Sequence, residues 1–193
     1  MILVLSTSSP RTSLAWFEGE TCVWSGDREA PRAASSAICA LLEESQIPLD
    51  RASQIMVDVG PGSFTGVRVG VTMAKVWAAF GPIPVAEVHS FDLISPDAPV
   101  AVYAKRGRSF LRIPGESPQA IEDAMIPGDA LGYGTHFADA AQFPVAARWG
   151  PGLPSQKSVE ALNLVPCYVA EPDISVPKQQ LIMGEAFAHD PVR

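Results

Sequence analysis

Gly60-Pro61-Gly62-Ser63-Phe64-Thr65-Gly66-Val67-Arg68-Val69-Gly70 decides the reading of this chain. Before it, Ile55, Val57 and Val59 alternate in a run of strand-forming residues. After it, residues 65–80 contain no proline and are rich in Val, Ala and Met, which predicts a helix. The order is strand, Gly/Pro turn, helix N-terminus, with Ser63 or Thr65 as the N-cap. Such a helix end presents unpaired amides and positive dipole charge, so Gly60, Gly62, Ser63 and Thr65 are candidate phosphate contacts. Neither common phosphate fingerprint is present. No lysine follows the second glycine of a G-x-x-x-x-G-K-[ST] pattern, and Thr65 fills the third glycine slot of G-x-G-x-x-G. A tight turn that opens a buried helix is the competing reading.

The helix carries a second signal. Gly66, Gly70, Ala74 and Ala78 recur every fourth residue and form one small-residue stripe. A glycine inside a helix costs about 1 kcal/mol relative to alanine, so close backbone approach should offset Gly70. That approach is either to the chain's own sheet or to a partner helix. Arg68, Thr72 and Lys75 share one side of the helix, either as a solvated face or as a charged rim beside such a seam.

Outward from this stretch, residues 2–5 form a short β-type run. Residues 13–17 and 21–24 read as a hairpin around Glu18-Gly19-Glu20. Pro31 suits a first helical turn, and Ala34, Ala37, Ile38, Leu41 and Leu42 have helical spacing, which predicts a helix over 31–46. A strand at 84–88 completes a β-α-β crossover with parallel pairing. In the second half, 100–103 and 109–113 read as a hairpin around the basic turn Lys105-Arg106-Gly107-Arg108. Residues 117–124 and 156–162 are short helical candidates, and the tail from Pro172 reads as extended or disordered. The expected division is an N-terminal half over 1–95 and a smaller C-terminal half over 96–193.

The 193 residues suffice for a sizeable core. The net charge of −7 argues against unaided gripping of a nucleic-acid backbone. Cys22, Cys39 and Cys167 match no zinc or disulfide pattern, and His89, His136 and His189 lie far apart, so no metal site is expected. The apolar start is too short for a signal-peptide core, and no apolar run reaches membrane-spanning length. A soluble, cytoplasmic protein is expected. There is no G-x-S-x-G and no arguable nucleophile triad.

The run GPGSFTGVRVG, followed by a helix bearing Lys75, closely resembles the signature of the TsaB (YeaZ) family. The chain opening, the 103–110 region and Pro166-Cys167-Tyr168-Val169 fit that family more loosely. The resemblance implies an α/β, actin/hexokinase-like (ribonuclease H-like) fold of two βββαβαβ halves, the second trimmed. It implies a non-catalytic subunit in the synthesis of threonylcarbamoyladenosine in tRNA. Such a subunit would bind and activate a TsaD-like transferase through its two helices, assemble with a TsaE-like ATPase, and form a homodimer when alone. tRNA would be met only through that complex. The implied interface comprises Ala34, Ala37, Leu41, Gly66, Gly70, Ala74, Ala78, Arg68 and Lys75. No cofactor of its own is implied; ATP or ADP would sit only at a joint interface with partners.

Actin-like ATPases place an aspartate at the end of the first strand, where this chain has Leu5-Ser6-Thr7-Ser8-Ser9. Ser6 and Thr7 are candidate phosphate contacts, but their hydroxyls cannot supply the missing charge. Asp58 could replace it, although an acid at a strand end is more often solvated or capping. Residues 30–36 lack the histidine usual in the family, and Ala104 departs from its usual aspartate. The alternative function is an autonomous actin-like nucleotide-binding ATPase or a divergent glycoprotease-like enzyme.

Overall fold

The computed structural model describes residues 1–154 and 156–169. The tail from Pro172 and His189 lie outside the described residues. Five strands and two helices open the chain: β1 (Ile2–Ser6), β2 (Arg11–Glu18), β3 (Thr21–Glu29), α1 (Ala34–Ser45), β4 (Gln54–Asp58), α2 (Phe64–Phe80) and β5 (Val85–Val88). This is the expected βββαβαβ order. β1 pairs antiparallel with β2 and parallel with β4, β4 pairs parallel with β5, and the sheet runs β5-β4-β1-β2-β3.

The central strands are buried on both faces, and their alternation sorts the core. Leu3, Leu5, Leu14, Trp16, Ile55 and Val57 point toward α1 and α2 in the main cluster. Val4, Ala15, Phe17, Met56 and Ala86 point the other way, onto Leu93, Ala146 and Trp149. Each fully buried aliphatic side chain contributes roughly 1.5–3 kcal/mol. The first face, the larger of the two, therefore dominates stability.

After the short helix α3 (Ser90–Ile94), the chain builds a second sheet from β6 (Val100–Lys105), β7 (Arg108–Arg112), β8 (Gln119–Glu122) and β9 (Leu131–Tyr133). Its order is β8-β7-β6-β9, with β6 antiparallel to β7 and parallel to β9. The first four strand positions of the first sheet are thus repeated. The helix between third and fourth strands has shrunk to a single 3-10 turn at Asp123–Met125. The fold is mixed α/β of the actin/hexokinase-like kind, with its second half trimmed.

Two expectations of helix fail. Residues 119–122 of the 117–124 segment are strand β8, paired to β7. Residues 157–159 of the 156–162 segment are strand β10 (Lys157–Val159), which pairs antiparallel with β5 and extends the first sheet; only Ala161–Asn163 turns, as a 3-10 helix. Both segments are too short to hold a helix alone, and open strand edges captured them.

Candidate functional site

The ends of β1 and β4 meet the start of α3, and Asp58 sits among them with no exposure. Ser6 Oγ and Ser8 Oγ donate to its Oδ2 at 2.6 and 2.5 Å. Ser90 Oγ donates to Oδ1 at 2.6 Å, and the Gly60 amide donates to the same oxygen at 2.8 Å. Four donors thus meet one carboxylate. Asp58 is therefore neither solvated nor a simple cap: it ties three chain segments together. Burial holds its carboxyl above the ordinary carboxylate range, and the four donors offset part of that rise. Tyr133 OH donates to Ser8 O at 3.0 Å, and burial together with the Asp58 charge pushes the phenol well up. Burial also raises the Cys167 thiol, with Glu87 and Asp58 adding to the shift.

This network changes the reading of the phosphate candidates. The Ser6 hydroxyl is spent on Asp58, and Thr7 Oγ1 donates to Gly66 O at 2.8 Å. The Ser63 amide donates to Ser8 O at 2.6 Å, and Ser63 is the N-cap, its Oγ accepting from the Gly66 amide at 3.2 Å. The Gly60 amide faces Asp58. A Cβ on Gly62 would lie 2.1 Å from Ser8 O. The glycine turn therefore cradles the chain's own β1–β2 loop. Of the six candidates, Ser63 and Thr65 are exposed beside the open cleft, and with Ser63 serving as the cap, Thr65 is the one whose hydroxyl has no hydrogen bond among the described residues.

The small-residue stripe faces inward as well. Gly66, Gly70, Ala74 and Ala78 are all buried. A Cβ on Gly66 would meet Thr7 O at 2.0 Å, and one on Gly70 would meet Thr7 Oγ1 at 2.5 Å. The close approach that offsets two helical glycines is thus to Thr7, in the loop that follows β1 of the same chain. Ala37 and Leu41 are likewise in the core, and Ala34 is half-buried at the cleft. Lys75 Nζ donates to Leu162 O at 3.1 Å, so it braces the chain's own later segment. Of the nine residues expected at an interface, Arg68 is the one fully exposed, its guanidinium 5.1 Å from the centre of the Phe64 ring.

The outward face of α2 lies two residues out of phase, about 200° round the helix. Phe64, Arg68, Thr72, Val76 and Phe80 recur every fourth residue and are all exposed, Phe80 at 88%. Ser35 of α1 borders this face beside Phe64, Arg68 and Thr72. Of the two readings the glycine stripe left open, its close approach is to the chain's own sheet side, and the exposed stripe of the same helix is equally regular in the sequence. Ser8, Ser90 and Tyr133 had no local signal; only the fold brings them to Asp58.

Between the two sheets lies a cleft of about 1180 Å³, bounded by the β1–β2 loop, the start of α2, the β6–β7 hairpin and residues after β9. Among the described residues no group of His, Cys, Asp or Glu is placed to hold a metal ion. No helix among them is long and apolar enough to cross a membrane.

Residues 28–101 match the family model described as TsaD, tRNA N6-adenosine threonylcarbamoyltransferase. The tRNA threonylcarbamoyladenosine biosynthesis protein TsaB of Bacillus subtilis is 40% identical over 62 residues, 32% of this chain and 27% of that protein. An uncharacterized protein of Mycobacterium leprae is 26% identical over 208 residues, covering 93% of this chain and 57% of that one. The chain thus spans about a quarter and somewhat over half of these two relatives. The solved structure of YeaZ from Pseudomonas aeruginosa superposes with a TM-score of 0.69 at 21% identity, covering 86% of this chain and 98% of that one. Over part of its length the chain is thus similar in sequence to a TsaD family model and to a TsaB protein, and over most of its length it shares the fold of YeaZ.

Proposed function

We propose that this chain is a non-catalytic subunit in tRNA threonylcarbamoyladenosine synthesis, binding a TsaD-like protein through the outward faces of α1 and α2. The observation that carries this reading is the exposed ladder Phe64, Arg68, Thr72, Val76 and Phe80. Large apolar groups at helical spacing on the outside of a long helix are what a partner helix buries. The Bacillus relative's name supplies the process, and the matched family model supplies the partner's kind. Alone, the same face would pair with a second copy; in the complex a TsaE-like ATPase and tRNA would join through the partner. The cytoplasm is the expected compartment.

The test is co-purification of the full chain with a TsaD-like protein from the same genome, followed by light scattering. Val76→Asp and Phe80→Asp both change exposed side chains, so their melting temperatures should match the parent's. Each should abolish the complex. A folded Val76→Asp protein that still binds with the parent's affinity would sink the proposal.

A further inference from the structure

Ser95-Pro96-Asp97-Ala98-Pro99 joins the two sheets, and two prolines among small residues read as a linker about which the sheets would swing. The structure grips that joint from both sides. Arg112, at the end of β7 in the second sheet, is buried; its Nη1 donates to Pro96 O at 2.6 Å and its Nη2 to Ser95 O. Asp92 Oδ1 lies 3.8 Å from the same guanidinium, and the centre of the Phe91 ring lies 5.9 Å from it. Arg148 Nη1 donates to Ile94 O at 3.1 Å. Arg148 belongs to a 3-10 turn, Ala146–Arg148, that is tied to the first sheet, where the Ala146 amide donates to Ser13 Oγ at 2.9 Å. Three successive carbonyls, at the last residue of α3 and the two beyond it, are thus held by two guanidinium groups, one from the side of each sheet.

The entry of α3 is held as firmly. The Ser90 amide donates to Gly60 O at 2.9 Å, and its hydroxyl donates to Asp58 at 2.6 Å. Between the two ends, Leu93 packs into a core cluster of the first sheet, and Phe91 and Ile94 pack into one of the second. Carbonyls that end a helix lack partners within it, and a charged planar donor satisfies them with stronger bonds than a neutral one makes. A swing of one sheet against the other would have to break these bonds together, because they hold the two ends of one short helix. We infer that α3 is a strut rather than a hinge: Asp58 fixes its entry, Arg112 and Arg148 fix its exit, and the two sheets move as one rigid body about a cleft of constant width. The inference does not rest on the proposed partner, and either can fail alone.

The test is the distance between spin labels on Cys22 and on a Gln119→Cys variant of the full chain, both exposed and one in each sheet, with Cys39→Ser and Cys167→Ser removing the other thiols. Pulsed electron resonance should read one narrow distance in this labelled parent. Arg112→Gln should lose that single distance to a broad distribution, and Arg148→Gln should broaden it less, because it gives up one carbonyl rather than two. Ile126→Ala weakens the second sheet without touching the clasp, so it should keep the narrow distance. Should Arg112→Gln fail to fold, Arg148→Gln, at an exposed position, carries the test. The inference is overturned if the parent already shows a broad or two-peaked distribution, if the folded arginine variants keep the parent's distribution, or if Ile126→Ala broadens it as much as they do.

Discussion

The two sheets share a strand plan and differ in what covers them. In the first, α1 and α2 lie over one face, and the segment with Leu93, Ala146 and Trp149 closes the other. In the second, α3 and the 141–143 segment back one face through Phe91, Ile94, Val100, Val102 and Tyr133. Its other face has a smaller buried cluster among the described residues, Ala101, Leu111 and Ile126, with Ile113, Ile121, Ala130 and Phe137 packed part-exposed against it. The same topology therefore serves two purposes. The first sheet is a stable platform, and the second is a light wall that leaves the cleft open. What differs is the amount of apolar surface brought to each sheet, so the two should respond unequally to the same kind of change.

The largest expected difference is in truncation of a core leucine. Leu14→Ala, at a fully buried position of the first sheet, should cost about 4 kcal/mol in urea unfolding. Leu111→Ala, in the small outer cluster of the second, should cost about 2 kcal/mol because the loops above it can settle into the gap. Equal costs would dissolve the distinction between platform and wall.

A pair of glycines sharpens the same contrast. Gly66→Ala puts a methyl within 2.0 Å of a backbone carbonyl on β1's trailing loop, so it should cost about 3 kcal/mol. Gly107→Ala, in the β6–β7 turn, meets nothing within 4 Å and is penalised only by its φ of +75°, about 1 kcal/mol. Circular dichroism melts of both variants would read the ranking.

The smallest effect is one of pH, and it belongs to the join between the sheets. Asp58 is held above its ordinary range in the folded chain, so folding favours its protonated form. The associated stability is fully present below the unfolded pKa of about 4 and is lost as pH rises through the folded value. Asp58→Asn has no such titration. The parent's stability relative to this variant should therefore decline as pH climbs from about 4, then level off. A gap that widens over the same range, measured by chemical unfolding at each pH, would mean that the four donors outweigh burial.

The order of elements in the first half was legible because period-two and helical patterns there are long and uninterrupted. The turn at 60–63 and its N-cap Ser63 were legible for the same reason: capping chemistry is local. The stripe Gly66-Gly70-Ala74-Ala78 was legible as a close approach, but not as to what approaches, since a helix sequence does not say which of two faces meets its own sheet. Thr7 settles that, and it lies 59 residues from Gly66, with which it bonds. Strands β8 and β10 were missed because their pairing partners, rather than their own residues, decide their shape. Asp58 was misjudged for a similar reason: its three serines come from positions 6, 8 and 90, scattered along the chain.

Strand β10 has a consequence for how the molecule is made. It seals the outer edge of β5, and the segment after it is pinned by Lys75 to Leu162 O and by the Cys167 amide to Val59 O. A ribosome delivers residues 1–88 well before residue 157, so the nascent first sheet waits with β5 bare along one side while the second is synthesised. Unpaired edges recruit stray strands. Synthesis of residues 157–167 thus acts as a built-in guard, and chains cut short before residue 157 would leave the ribosome with the sheet that holds most of the core still unclosed.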